Sequence, residues 1–321
     1  MRAIVAHAYG SPDVLIAEEV PTPTPADGEV RVRIHAASAT RSDAEMRKGG
    51  VARLAAGLTK PKHPIPGAEF AGEIDAVGPN VTLFNVGDRV MGQTGLAMGG
   101  YAEYVVVPED GPFVPVPEGA SYEEAVALVE GMLTALAFLN ADADIRPGTR
   151  VLINGAAGAV GSAAVQVARH LGATVTGVCG AANVEFVESL GADEVIDYKR
   201  SDFTQQGRAY DVIFDAVGLS SFSACRKALA PNGIYLTTVP SIRVLVDVAR
   251  TSLFGNRKAR IIFSGLRTDE KKLEDLNLIS EMWAAGEIKA VVDRVFPLEQ
   301  AAEAHRYIDQ GHKRGNVVLT A

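Results

Sequence analysis

Between residues 151 and 168 the chain passes from the apolar run Val151-Leu-Ile-Asn154, through Gly155-Ala-Ala-Gly158-Ala-Val-Gly161, into the helical pattern Val165-Gln-Val-Ala168. A buried strand that turns into a helix across closely spaced glycines leaves few folds open, because the helix must lie back against the strand it has just left. With Ala156 at the first glycine position, Gly158 lets backbone approach a pyrophosphate, and Gly161 permits close packing of helix on strand. The free N–H groups and dipole end of the helix favour an anion at this point. A tight turn without a ligand satisfies the same glycines, and the flanking strand and helix favour the nucleotide-binding alternative.

The surrounding pattern continues the unit. Strand Arg150–Asn154, helix Gly161–Leu171, strand Thr174–Cys179, helix Asn183–Leu190 and strands Glu194–Asp197 and Val212–Ala216 alternate as in a parallel sheet. Gly233–Thr238 follows a Pro231-Asn-Gly turn, and Arg260–Ser264 could add an edge strand. Upstream, short β-type runs at Arg2–Ala6, Glu29–Ala36, Ala71–Val77, Asp88–Met91 and Tyr101–Val107 are punctuated by Gly and Pro. The run Pro21-Thr-Pro-Thr-Pro25 is extended surface chain. Ser121-Tyr-Glu-Glu124 has capping-box spacing and opens the apolar helix Ala125–Leu139. Helices at Leu273–Ala285 and Leu298–Asp309 and a strand Asn316–Thr320 close the chain.

A length of 321 residues suggests two domains. A net charge of −8 with no Lys/Arg-rich run gives no footprint for nucleic acid or an anionic membrane, so the expected partner is a small molecule. Two cysteines, Cys179 and Cys225, support neither a disulfide framework nor a four-thiolate zinc site, and read as core residues. The segment MRAIVAHAYG lacks a continuous apolar export signal, and Ala156–Val178 is broken by Arg169, His170 and glycines, so a cytoplasmic protein is expected.

The dinucleotide is less constrained. An NAD site usually closes the second strand with an acidic residue on the ribose. Here that place reads Cys179-Gly-Ala-Ala-Asn183, with neither a carboxylate to repel a 2′-phosphate nor an Arg to pair with one. Lys199, Arg200 and the phenol of Tyr198 could supply the missing contacts, or form an ordinary solvated strand end. The balance favours NADPH, with NADH still possible.

Thr40-Arg-Ser-Asp43 with Arg47 and Gly49, Pro66-Gly-Ala-Glu-Phe-Ala-Gly72, Val86-Gly-Asp-Arg-Val90, Gly100-Tyr-Ala-Glu-Tyr104, Gly131-Met-Leu-Thr134-Ala, the 156–161 turn, Gly191-Ala-Asp193, Phe214-Asp-Ala-Val-Gly218 and Gly311-His-Lys-Arg-Gly315 occur in that order. Together they resemble the zinc-free quinone oxidoreductase branch of the medium-chain dehydrogenase/reductase superfamily over essentially the whole chain. The resemblance implies an α/β protein in which a Rossmann doubly wound parallel sheet (122–265) is inserted in a GroES-like β-rich substrate domain (1–121 plus 266–321). It implies a cleft where nicotinamide meets substrate; separately, the edge strand Gly233–Thr238 or the apolar segment Val244–Phe254 could pair or pack across a two-fold axis, so a homodimer is expected. It implies Thr134 near the nicotinamide, Ala156, Gly158, Ala159, Val160 and Gly161 on the pyrophosphate, and Tyr198 near the adenosine ribose. Phe263–Leu266, Gly265 included, would line the nicotinamide by backbone. Asn183, Val217 and Lys313 are expected as further cofactor contacts, and Thr40 and Asp43 as the catalytic pair at the substrate end.

Zinc-dependent relatives carry Gly-His-Glu where this chain has Gly67-Ala68-Glu69, and the first domain has no Cys, so no metal is expected. His35 and His63 then have surface or packing roles, although His63 lies in a loop that could reach the cleft. Without a Lewis acid the simplest acceptor is one already electrophilic, a quinone or an enone. Thr40 is a suitable donor, and Asp43 could orient Arg47 or a ribose; an i,i+4 pair between Asp43 and Arg47 explains the same residues. Some relatives place Tyr where Glu45 stands, which weakens any tyrosine-acid mechanism here. An enoyl-thioester or metabolite-specific enone reductase is the enzymatic alternative, for which Arg41, Arg47, Lys48, Lys60 and Lys62 could serve a basic mouth. A catalytically silent NADPH-binding sensor is the alternative of another class.

Overall fold

The computed structural model describes residues 1–50, 53 and 57–321. The chain opens with strands β1 (Arg2–Ala6), β2 (Leu15–Glu19) and β3 (Glu29–Ala39), helix α1 (Arg41–Lys48), strands β4 (Glu69–Val77), β5 (Arg89–Gln93), β6 (Tyr104–Pro108) and β7 (Phe113–Pro115), and helix α2 (Tyr122–Leu136). It continues through β8 (Arg150–Asn154), α3 (Ala159–His170), β9 (Thr174–Cys179), α4 (Val184–Ser189), β10 (Glu194–Asp197), β11 (Tyr210–Asp215), α5 (Phe222–Cys225), β12 (Leu229–Thr237), α6 (Ile242–Leu253) and β13 (Lys258–Ile261). It ends with α7 (Asp269–Ala284), β14 (Val292–Pro297), α8 (Ala301–Gln310) and β15 (Asn316–Thr320). Two compact units result, Met1–Glu130 with Thr268–Ala321, and Gly131–Arg267. Their limits fall at 130/131 and 267/268, inside α2 at the first crossing, where the sequence suggested 121/122 and 265/266.

In the first unit a seven-stranded sheet runs β14-β15-β3-β4-β5-β7, with β6 also paired to β3. The alternation Val30-Arg-Val32-Arg-Ile34 builds its centre: the apolar side chains are buried on one face, the arginines between them point away. They pack with Phe70, Ile74, Val90 and Phe113, and with Ala301, Ala304 and Ile308 of α8. Strands β2, β7 and β14 and helices α5 and α6 are additional to those read from sequence.

The second unit is a six-stranded, wholly parallel sheet in the order β10-β9-β8-β11-β12-β13. Crossing from β8 outward in both directions gives the doubly wound order expected of a dinucleotide unit. Val151, Leu152 and Ile153 are entirely buried, as continuous apolar strands of a two-sided sheet must be. Residues Tyr122–Asp142 are apolar and long enough to cross a membrane, but 78% of that apolar window is buried within the protein, which marks a core helix.

Candidate active site

The second unit builds its site where β8 meets α3. Gly155 turns the chain with φ 81°, a left-handed value that side chains disfavour, and a Cβ there would strike Val217 Cγ1 at 2.4 Å. A Cβ on Gly161 would lie 2.0 Å from the Gly155 carbonyl oxygen and 2.9 Å from Ala156 Cα, so only glycine lets α3 sit this close to the turn. Gly158 differs. Its backbone is extended, and a Cβ there would touch only the Gly155 oxygen at 3.6 Å. As the N-cap of α3 it offers no side chain to the N–H groups of the first turn. Space without a side chain, beside uncapped N–H donors and the positive end of a helix, fits a pyrophosphate.

Around this cradle Asp215, wholly buried at the end of β11, gathers five donors. It accepts from Asn154 Nδ2 at 3.0 Å, Val217 N at 3.3 Å, Gly218 N at 3.0 Å, Ser220 N at 2.8 Å and the Tyr235 hydroxyl at 3.0 Å. This carboxylate fixes the 215–220 loop and so presents Val217, half-exposed, beside Gly155. Its pinning role was not read from the sequence, although Phe214-Asp-Ala-Val-Gly218 was singled out there.

At the end of β9 no acidic residue appears. Tyr198 N–H donates to the Cys179 carbonyl at 3.1 Å, the half-exposed phenol lies beside Gly180, and Asn183, at the N-cap position of α4, donates its N–H to the Gly180 carbonyl at 2.9 Å. Arg200 leans on Asp197 at 3.6 Å, which also accepts Lys199 N–H at 3.0 Å, so Arg200 is partly neutralised. Thr134, buried, and Ser264 bring their hydroxyls to 3.4 Å, setting the exposed Phe263, Gly265 and Leu266 beside Thr134. Of the cofactor residues expected in this unit, Ala156, Gly158, Ala159, Val160, Gly161, Asn183, Tyr198, Val217, Phe263 and Gly265 lie in the segments that leave the carboxyl ends of the parallel strands, whereas Thr134 lies in α2.

Thr40 and Asp43, expected as the catalytic pair, bond to each other. They form a capping box at the start of α1: Asp43 N–H donates to Thr40 Oγ1 at 3.0 Å, and Thr40 N–H to Asp43 Oδ2 at 3.0 Å. The Thr40 hydroxyl donates to the same carboxylate oxygen at 2.8 Å, and both residues are buried. In this arrangement the two side chains satisfy each other and fix the start of α1. Asp43 also accepts from the Tyr101 hydroxyl at 3.2 Å, which in turn meets His305 Nε2 at 3.0 Å. Burial raises the Asp43 carboxyl and holds His305 down to about 4. The i,i+4 pair does not form either, since Arg47 reaches Asp309 at 2.6 Å instead.

The residues offered for a basic mouth are largely spent on partners. Arg41 pairs with Glu45 at 2.8 Å, and Lys48 with Glu45 at 3.1 Å and Asp309 at 2.8 Å. His35 stacks on Tyr122 with ring centroids 4.4 Å apart, and His63 is exposed. Cys179 and Cys225 are buried, their thiols pushed up to about 11 chiefly by that burial. Among the described residues no three His, Cys, Asp or Glu side chains converge as metal ligands.

One carboxyl went unread. Glu130, at the end of the first unit, accepts the Ser42 hydroxyl at 3.2 Å and lies within electrostatic reach of Lys313, whose ammonium donates to the Gly315 carbonyl at 2.6 Å. Desolvation lifts Glu130 to about 7, with Asp43 adding to the rise and Lys313 opposing it. Lys313, expected as a cofactor contact, is itself lowered by burial. The signal available was position, since Glu130 stands immediately before the Gly131-Met-Leu-Thr134 motif.

Residues 26–118 match the alcohol dehydrogenase GroES-like domain family, and residues 190–319 the zinc-binding dehydrogenase family. A chloroplastic quinone oxidoreductase of Triphysaria versicolor, QR1, is 31% identical over 99% of this chain and 98% of its own length. The quinone oxidoreductase structure from Coxiella burnetii superposes with a TM-score of 0.87 at 29% identity, covering 100% of this chain and 99% of that one. A mycobacterial structure complexed with NADPH does so with a TM-score of 0.85 at 28% identity, over 100% of both chains. The glycine cradle, the doubly wound sheet order and full-length relatives above 30% identity converge: this chain belongs to the quinone oxidoreductase-like, zinc-free branch of the medium-chain dehydrogenase/reductase superfamily.

Proposed function

We propose that the protein is an NADPH-dependent reductase that transfers hydride to a quinone or an α,β-unsaturated carbonyl without a metal. The observation that carries the reading is the contrast at the α3 N-terminus, where Gly161 is sterically obligatory for the fold while Gly158 leaves room for a pyrophosphate. Reduced nicotinamide supplies the hydride, and the electrophilic acceptor needs no Lewis acid to receive it. The chain's own part is to bind and orient. Residues 158–161 would hold the phosphates, Asp215 fixes Val217 at the cradle, and the Thr134–Ser264 pair sets the 263–266 segment.

The coenzyme reading rests on the end of β9. Gly180, Ala181 and Ala182 carry no anionic group to repel a 2′-phosphate, and the Tyr198 hydroxyl lies beside Gly180 as a donor. The NADPH bound in the mycobacterial neighbour is consistent with this preference. Titration of the protein with NADPH and with NADH, followed by quenching of protein fluorescence and by coenzyme oxidation with 1,4-benzoquinone, tests it. Tighter NADPH binding and chelator-insensitive oxidation are expected. Equal affinities would remove the coenzyme preference, and coenzyme binding without turnover of any quinone or enone would turn the protein into a sensor.

A further inference from the structure

Helix α6 (Ile242–Leu253) carries its polarity inside out. The buried Asp247 and Thr251 point inward, while Ile242, Leu245, Val246, Ala249 and Leu253, spaced at i, i+3, i+4, i+7 and i+11, form one exposed stripe. Ile242 is 83% exposed, Leu253 77%, and Phe254, which follows the helix, 71%, so this is a continuous apolar strip and not a scatter of surface residues. The inward face is tied down. Thr251 Oγ1 accepts the Ala259 N–H of β13 at 3.0 Å, and Asp247 accepts from Arg250 at 3.0 Å. Rolling the strip inward would strand the buried Ala259 donor.

The charge around the strip is equally one-sided. Residues 216–267 hold eight Lys and Arg and one carboxylate, Asp247, a local excess that the whole-chain charge of −8 conceals. Arg243 donates to Ser223 Oγ, which sets α5, and the exposed Arg226 and Lys227 after it, beside α6. Arg257 bonds to the Leu229 and Ala230 carbonyls and Lys258 to that of Thr251, neutral partners that leave both charges in place. Arg226 and Lys227 precede β12, Arg257 precedes β13 and Lys258 opens it, so these cations sit at the amino edge of the parallel sheet. The glycine cradle is at the opposite, carboxyl edge, so coenzyme phosphates do not account for them.

We propose that α6 docks the protein on an anionic lipid surface, its apolar strip entering the boundary of headgroups and acyl chains and the flanking cations meeting the lipid phosphates. A second copy, the other cover for residues 244–254, would meet this surface across a two-fold axis with its own likeness, cation against cation, whereas a bilayer of acidic lipids complements it. Nucleic acid would match the charge and leave the strip uncovered.

Flotation of the full-length chain with phosphatidylcholine vesicles containing about a third phosphatidylserine, and with phosphatidylcholine alone, tests the proposal. Binding to the acidic vesicles alone, weakening as salt rises, is expected. Leu245→Ser with Leu253→Ser should weaken it about tenfold or more while the thermal midpoint stays that of wild type. Arg226→Gln with Lys227→Gln should weaken it about fivefold per charge removed, and decides the matter should the serine variant fail to fold. Protein that floats with neither vesicle, or equally with both, overturns the proposal. So does acidic-vesicle binding that the serine variant keeps in full, and so does a wild-type dimer in sedimentation that the serine variant dissociates, which would assign the strip to a second copy.

Discussion

Adding one methyl group at either of two glycines three residues apart should have opposite consequences. In Gly161→Ala the new Cβ meets the Gly155 oxygen at 2.0 Å and its carbonyl carbon at 2.7 Å, both backbone atoms held by the β8 turn. Overpacking against atoms that cannot swing aside costs about 3 kcal/mol, and the gain of alanine over glycine within a helix offsets about 1, leaving about 2 kcal/mol. For units of this size that lowers the thermal midpoint by about 4–8 °C. In Gly158→Ala the backbone is already one alanine adopts, and the nearest atom is at 3.6 Å, so restriction of the unfolded chain should stabilise by about 0.5 kcal/mol. The same methyl occupies the phosphate cradle, and coenzyme affinity should fall at least tenfold, about 1.4 kcal/mol. Thermal unfolding of both variants, with fluorescence titration of NADPH, measures all four quantities. A Gly158→Ala protein destabilised as much as Gly161→Ala, or binding NADPH like wild type, would refute the reasoning.

Asp215→Ala leaves the buried Tyr235 hydroxyl and four part-buried N–H donors without their acceptor and should cost about 3 kcal/mol, seen as an earlier midpoint in denaturant. Thr40→Ala removes a helix cap and should cost about 1 kcal/mol while leaving turnover within about threefold; a loss of 100-fold would restore Thr40 as a catalytic group. His305 titrates near 4 when folded and near 6.5 when unfolded, so unfolding takes up a proton between those values. Its neutral form therefore contributes stability above about 6.5 that is lost as pH falls towards 4. Relative to His305→Asn, wild type should lose about 3 kcal/mol across that window, and parallel stability curves for the two proteins would contradict the assignment.

Local chemistry made much of the second unit readable. The 155–161 turn, the strands Arg150–Asn154, Thr174–Cys179 and Glu194–Asp197, and their parallel order all follow from short-range pattern. What the sequence hid depends on partners far along the chain. Strand Val292–Pro297 pairs with Asn316–Thr320 through a register irregularity that blurs its period. Helix Ile242–Leu253 is rich in β-branched residues, which weakens its helical signal, and is fixed by Ser241, whose side chain accepts from Val244 N–H. Arg47 was paired with its sequence neighbour Asp43, yet its partner Asp309 lies 262 residues away. Thr40-x-x-Asp43 was legible as a cap from its own spacing, but the family resemblance drew attention to catalysis instead. Glu130 is lifted by burial and by Asp43 and held back by Lys313 and by Ser42, 88 residues earlier, surroundings that no local pattern records.

The most direct test of the account follows one hydrogen. NADPH deuterated at C4 would be incubated with the chelator-treated protein and a simple enone, and the product examined by NMR. Deuterium at the β-carbon, with undiminished rate in chelator, is the result predicted for metal-free conjugate reduction. Deuterium at the carbonyl carbon, loss of activity on chelation, or no oxidation of bound NADPH would contradict it.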